Sequence, residues 1–419
     1  MEYLLRGDIC YSENLKSLIC KENAYLHIKD GFCQGVYDSL PKELSSVEIK
    51  DYSGNLILPG MVDLHLHAPQ YGFRGTKMDL ELLDWLNVNT FPEEAKYQNL
   101  DYAERGYRDF VEDLRGSATT RAVIFGTLHK NATLLLMKLL EESGLVSYVG
   151  KVNMDRNSPE YLTEHNAEES LKNTREWLSE IPKDWQNCKP ILTPRFTPTC
   201  SDALMEGLGK LAKEYKLPVQ SHLSENLGEI TWVKELCPDA KHYGDTYDRY
   251  GLLENSIMAH CVYTEGEELS ALKARGTMIC HCPQSNTNLC SGAAPIRYFL
   301  EENVKVGLGT DVAGGANLSM LRAITDAISV SKLRFRLMDQ SLAPLTLEEA
   351  FCLATLSGGS FFGKVGSFLP GYEADALVFH EKRRSVRKQT VKERLELLLY
   401  TGEESARLQA KFVQGRQLF

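Results

Sequence analysis

The sequence predicts an α/β fold, a (β/α)8 TIM-like barrel inserted in a small β-sandwich domain formed by both termini. Three observations predict it. From Asn55 onward short apolar runs alternate with segments of helical period, roughly every thirty to fifty residues, the pattern of strands joined by crossover helices. Eight such runs can be counted, the number that closes a barrel of parallel strands. Toward the two ends the alternation gives way to short strands separated by turn clusters.

The elements follow in order. The N-terminal part carries strands at Tyr3–Ile9, Tyr25–Lys29, Gly31–Tyr37 and Val47–Tyr52, broken by Gly, Pro, Asp, Asn and Ser. The barrel strands are expected at Leu56–His67, Arg121–Phe125, Val146–Val152, Pro190–Arg195, Pro218–His222, Ile257–Cys261, Thr277–Cys282 and Val306–Asp311. Helices are expected at Leu134–Ser143, Ala167–Glu180, Asp202–Tyr215, Gly228–Glu235, Glu265–Arg275 and Leu347–Leu356, several with Lys or Glu at i,i+4 spacing. After Phe379 a basic tract over residues 382–388 precedes an apolar close at Lys411–Val413. A barrel takes about 250 residues, so the 419 residues divide into a small β domain of 1–58 plus 366–419 and a catalytic barrel of 59–365.

Charge narrows the function. The chain has 47 Lys and Arg against 57 Asp and Glu, a formal net charge of −10, which excludes the basic face of a nucleic-acid or anionic-lipid binder. The basic tract has no interleaved aromatics and reads as a solvated loop. No stretch approaches the eighteen or so apolar residues of a membrane span, and Met1–Arg6 lacks the pattern of a signal peptide. Eleven Cys, an odd number with no Cys-x-x-Cys pair, point to reduced thiols and a cytoplasmic chain.

The chemistry lies at the strand ends. His65 and His67 stand at i and i+2 of a strand, so both imidazoles face one way. His222 ends the fifth strand, His260 the sixth and Asp311 the eighth. A barrel brings all C-terminal strand ends to one rim, where residues far apart in sequence can share one ion. His65, His67 and His222 are expected to supply nitrogen and Asp311 oxygen to a single divalent metal with a position left open for water, whose pKa would fall toward about 7. Glu225, three residues past a ligand, is placed to move protons, and His260 to hydrogen-bond the attacking oxygen. His27, His129, His165, His242 and His380 read as structural or solvent-facing, and His281 as a loop-ordering residue near the rim. Cys280 and Cys282 are expected to point away from the metal. Gly358–Val365 imitates a phosphate loop, but Val365 stands where Ser or Thr is required and a helix precedes it.

Pro59–His67, Ser221–Glu225, Met258–His260, His281–Asn286 and Gly309–Asp311 occur here in an order and spacing that cover nearly the whole barrel. The chain resembles the amidohydrolase superfamily, in its metal-dependent aminohydrolase branch. Ala68-Pro69-Gln70-Tyr71, Trp85-Leu86, Thr90-Phe91-Pro92, Thr193-Pro194-Arg195-Phe196 and the run Gly309–Gly315 carry the finer resemblance. That resemblance implies zinc-dependent hydrolysis of guanine to xanthine and ammonia, with Gln70, Arg195, Phe196, His222 and His260 contacting the base and Glu225, Asp311 and His260 serving catalysis. Arg195 would donate to the O6 carbonyl and Phe196 would stack on the ring. It implies one zinc per chain, iron or manganese being compatible with the same ligands, and a homodimer. The roles of Trp85 and His281 stay open.

Two other readings compete. One is a mononuclear deaminase of the same superfamily acting on an adenosine thioether, cytosine or a triazine, against which Arg195-Phe196 argues. The other is a barrel that has lost its chemistry and serves as a scaffold, against which stands the presence of all the site residues.

Overall fold

The computed structural model describes residues 1–382 and 386–419; Arg383 and Arg384 of the basic tract lie outside the described residues. All eight expected barrel strands form. Met61–His67, Thr119–Phe125, Val146–Gly150 and Cys188–Pro190 make one four-stranded parallel sheet, and Val219–Leu223, Ser256–His260, Met278–His281 and Lys305–Leu308 make a second. A two-stranded parallel pair, Val152–Asn153 with Thr193–Pro194, carries the third and fourth strands on toward the rim.

Backbone hydrogen bonds join the two sheets at both seams. Gln220 N donates to Leu192 O (2.9 Å) at one; at the other, Asp311 N donates to His65 O and His67 N to Val312 O, both at 2.8 Å. The architecture is of the TIM-barrel type, an α/β fold with helices outside parallel strands. Val123, Ile191, Ile257, Ala259, Met278 and Cys280 share one fully buried cluster with Val62 and Leu64 of the first strand.

Three expected strands are divided, the third between Gly150 and Val152. The run Leu56–His67 splits at Gly60 into Glu48–Pro59, which belongs to the terminal sheet, and Met61–His67. A β-carbon on Gly60 would lie 2.1 Å from Thr120 Oγ1, so the chain passes there only as glycine. The fourth strand breaks after Pro190 and resumes at Thr193; at the break Ile191 N donates to Val149 O (3.1 Å) and Leu192 N to Pro218 O (3.0 Å).

The helices Ala167–Glu180 and Asp202–Tyr215 stand at their expected bounds, capped by Asn166 and Ser201. Among the described residues, three helices longer than ten residues were not anticipated: Leu100–Gly116, Met320–Leu337 and Val391–Thr401. Leu100–Gly116 buries Ala103, Tyr107, Phe110, Val111 and Leu114 on one face, but the charges between them mask that stripe in the sequence. The last occupies the stretch between the basic tract and the apolar close at Lys411–Val413, where no element was expected. Its N-cap Thr390 and Glu393 form a capping box, and Arg387 pairs with Glu393.

The termini combine as expected, with a difference in form. Instead of two hydrogen-bonded sheets they build one seven-stranded sheet, in the order Arg416–Gln417, Ala406–Val413, Ala376–Glu381, Glu48–Pro59, Glu2–Asn14, Ser17–Lys29, Phe32–Tyr37. Long strands let a single ladder run through both chain ends, with Leu5, Ile9, Leu26, Ile28, Ile57 and Phe412 in its core.

This sheet is tied to the second barrel strand through buried charge. Arg121 donates to Asp375 Oδ2 (2.7 Å) and Oδ1 (3.1 Å) and to Glu373 Oε2 (2.8 Å). Lys411 Nζ donates to the carbonyls of Arg115 (2.7 Å) and Thr119 (2.8 Å). Arg121→Met is expected to lower unfolding free energy by ~3–5 kcal/mol, because Asp375 would be left as a buried charge without its partner. The measurement is the denaturant midpoint, and a change below ~1 kcal/mol would show that the pair does not hold the two units together.

Candidate active site

The five residues expected at the rim converge. His65 and His67 point to the same side of the first strand, and their Nε2 atoms lie 3.3 Å apart. His67 Nε2 is 3.3 Å from His222 Nε2. Asp311 Oδ1 lies 3.2 Å from His65 Nε2 and 3.3 Å from His67 Nε2. His65, His67 and Asp311 are deeply buried, and His222 is partly buried.

The arrangement fits a metal ion. His65 Nε2, His67 Nε2 and Asp311 Oδ1 form a triangle with edges of 3.2–3.3 Å, and an ion about 2.0 Å from each corner, the length of a zinc–imidazole bond, would sit just off its plane. Bare imidazole nitrogens and a carboxylate crowd at that spacing when a cation belongs between them. The protonation states agree: burial lowers the His65, His67 and His222 imidazoles below their ordinary range, His67 to about 4, which leaves lone pairs free. Burial would raise the Asp311 carboxyl, but the His65 and His67 rings beside it hold it well below the usual carboxylate range. His222 Nδ1 donates to Arg195 O at 2.7 Å, which directs the unprotonated Nε2 at the cluster.

Backbone conformation makes this convergence possible. Ser224, His260, Cys261 and Asp311 all have positive φ (47°, 72°, 49° and 47°), so three strand ends turn sharply where their side chains enter the site. Non-glycine residues in that region cost about 1–3 kcal/mol each and persist only where the surroundings hold them. Asp63 is one restraint, accepting from Thr310 N (3.0 Å), Thr310 Oγ1 (2.6 Å) and His65 N (3.3 Å).

Glu225 and His260 stand beside the cluster. Glu225 Oε2 is 3.4 Å from His260 Nε2, and its Oε1 accepts from Ser291 Oγ at 3.1 Å. Burial, helped by Asp311, pushes the Glu225 carboxyl up to about 8, so it can hold a proton at neutral pH. His260 Nδ1 donates to Asn286 Oδ1 at 2.8 Å, which sets the ring's orientation, and its Nε2 lies 3.8 Å from Asp311 Oδ2.

These residues open onto a cleft of about 410 Å³ whose lining includes Gln70, Arg195 and Phe196 as well as His222, Glu225 and Asp311. Trp85, Leu82 and Leu86 form an apolar wall, which gives Trp85 a place. Arg195 is buried with Nη1 2.7 Å from Glu94 Oε2, its guanidinium 5.2 Å from the centre of the Phe91 ring. Phe196 stands edge-on to Trp232, with ring centres 6.2 Å apart. A planar ligand with one polar edge suits such a cleft.

His281 is buried, and it is absent from the cleft lining; its carbonyl accepts from Gly309 N at 3.0 Å. Cys282 does not point clear of the cluster: its sulfur lies within 4.8 Å of donor atoms of His260 and Asp311, because the chain leaves its strand at His281 and the alternation ends there. Burial raises its thiol well above the ordinary range, which keeps it protonated and a poor ligand. Sequence reasoning missed Glu94, Asn286, Asp63 and Ser291. Asp63 and Asn286 lay within the Pro59–His67 and His281–Asn286 motifs; Glu94 and Ser291 carried no local signal.

The sequence profile of the amidohydrolase family matches residues 56–404. The guanine deaminase of Rattus norvegicus is 44% identical over 345 residues, covering 80% of this chain and 75% of the relative. That of Escherichia coli is 35% identical over 413 residues, covering 95% and 91%. Among solved structures, guanine deaminase from C. acetobutylicum with bound guanine in the active site superposes with a TM-score of 0.97 at 43% identity, covering all of both chains. The His-x-His strand end, the Asp311 seam and a profile match over most of the length lead to one conclusion: this chain belongs to the amidohydrolase family.

Proposed function

We propose that this chain deaminates guanine hydrolytically, guanine and water giving xanthine and ammonia. The observation that carries the reading is a single buried cleft in which Arg195, Gln70 and Phe196 face the His65–His67–His222–Asp311 cluster. The likeness to guanine deaminases over nearly the whole chain supports it.

In this reading His65, His67, His222 and Asp311 hold one divalent ion, zinc by preference. When bound, such an ion supplies a nucleophile at neutral pH by lowering the pKa of water. The chain's residues do the rest. Arg195 donates to the O6 carbonyl, Phe196 presents a ring face to the base and Gln70 meets a ring edge. Glu225 delivers a proton to the ring nitrogen beside C2, takes one back from the oxygen that has joined C2, and passes it to the amine, which leaves as ammonia. His260 hydrogen-bonds the oxygen arriving at C2.

The proposal includes a division of the chain into a small domain of 1–58 plus 366–419 and a catalytic unit of 59–365, acting as a cytoplasmic homodimer without nucleic-acid or membrane partners. The net charge is −10, and among the described residues no helix is long and apolar enough to cross a membrane.

His65→Ala and His222→Ala are each expected to bring bound metal well below one ion per chain and to abolish ammonia release; near-stoichiometric metal in both would remove the ligand assignment. Glu225→Gln is expected to keep the metal and lose at least about a hundredfold in kcat, within the range for a positioned acid–base group. Metal-replete protein is expected to release ammonia from guanine far faster than from adenine or cytosine, since adenine presents a donor where Arg195 needs an acceptor. Faster release from either competitor would overturn the substrate.

A pH effect on stability follows from Glu225. Its carboxyl is raised from an ordinary 4.5 to about 8 in the folded chain, so folding takes up a proton between those values. Its stabilising contribution is then full below about 4.5 and is lost as pH rises through about 8. In metal-free protein the stability of the wild type relative to Glu225→Gln is expected to fall across that window when unfolding is followed at several pH values; a constant difference would show that the carboxyl is not raised.

A further inference from the structure

Glu94 lies behind the cleft wall, fully enclosed, and holds two of the wall's polar groups at once. Its Oε1 accepts from Gln70 Nε2 and its Oε2 from Arg195 Nη1, both at 2.7 Å. Each of the three side chains is about 2% exposed or less. Gln70 Oε1 accepts in turn from Ala313 N at 3.3 Å. A carboxylate only accepts and a backbone N–H only donates, so the Gln70 amide has one orientation: nitrogen toward Glu94, oxygen toward Ala313. One N–H and one lone pair of the amide then remain for a ligand.

The pair also sets charge. The Arg195 guanidinium is always protonated and sits over the Phe91 ring in a dry wall, where an uncompensated cation would draw an anion into the cleft. Glu94 cancels it while leaving the other guanidinium N–H groups able to donate. A neutral base with a carbonyl is thereby accepted, and an anion gains little.

We infer that Glu94 is a positioning residue that sets substrate specificity: it fixes the Gln70 amide and neutralises Arg195, so that the cleft holds a neutral oxopurine and releases the more acidic dioxopurine product. The inference rests on the proposed guanine reading. Xanthine bears two carbonyls where guanine bears a carbonyl and an amine, and is the stronger acid of the two. Its anion would be retained by an unneutralised Arg195.

The test is Glu94→Gln in metal-loaded protein, with Glu94→Asp as the variant that keeps the charge, both checked for metal content. For Glu94→Gln the expected result is a rise in guanine KM of about tenfold or more with kcat within about threefold, as for lost ground-state contacts to a charged group. The inhibition constant of xanthine should fall at the same time. Glu94→Asp should keep xanthine inhibition at the wild-type level. Opposite movement of the two constants is the signature, because general loosening of the wall would weaken both ligands together. Equal weakening of guanine and xanthine, or no change in either, would overturn the inference while leaving the guanine reading intact. If Glu94→Gln does not fold, the Glu94→Asp protein decides: xanthine inhibition that tightens despite the retained charge overturns the inference, and unchanged inhibition supports it. No ammonia from guanine in the wild type would overturn both.

Discussion

The seam between the first and last barrel strands is the constraint on which the rest depends. Asp311 N donates to His65 O and His67 N to Val312 O, so the backbones at the two ends of the barrel sequence are locked in register. That register brings Asp311 Oδ1 within 3.3 Å of both imidazoles across nearly 250 residues of chain. Asp63, one turn of the pleat before His65, fixes Thr310 from the other side. A slip of one residue at this seam would turn His65 and His67 away from Asp311 altogether.

Holding four polar side chains in a dry centre is costly, and the structure shows where the cost is met. Three strand ends adopt positive φ at Ser224, His260 and Asp311, conformations that survive because β-ladders and buried hydrogen bonds surround them. Around the cluster lies a second layer of fixed polar contacts. Arg195 O takes His222 Nδ1, Asn286 takes His260 Nδ1, and Tyr247 OH donates to His222 O at 2.9 Å. Each such contact restricts a ring or a carbonyl that the inner residues require in one orientation. The terminal sheet contributes from outside through Arg121 and Lys411, which fasten the second strand and the helix before it.

The cleft is built on different logic. Its inner end is polar and charged, its outer wall is Trp85, Leu82, Leu86 and Leu289, and Arg195 stands between them with Glu94 behind. A planar base can bury its faces against the apolar wall while its polar edge meets fixed donors. Water displaced from such a wall favours binding, and the paired charges prevent that wall from attracting ions indiscriminately.

Much of this was legible in the chain itself. Eight apolar runs, the His65-x-His67 alternation and the positions of His222, His260 and Asp311 after their runs depend on local periodicity, which a sequence carries directly. The helices Ala167–Glu180 and Asp202–Tyr215 were readable for the same reason, each with a capping residue at its start. Tertiary structure alone decided the rest. The break at Gly60 is set by Thr120, a residue of another strand, and the joining of both termini into one sheet is set by pairing between Glu48–Pro59 and Ala376–Glu381. Glu94 is one glutamate among many until Gln70 and Arg195 fold around it. Local period belongs to neighbours in sequence, whereas charge pairing, close approach and ring orientation belong to neighbours in space, and only the packed chain determines which residues those are.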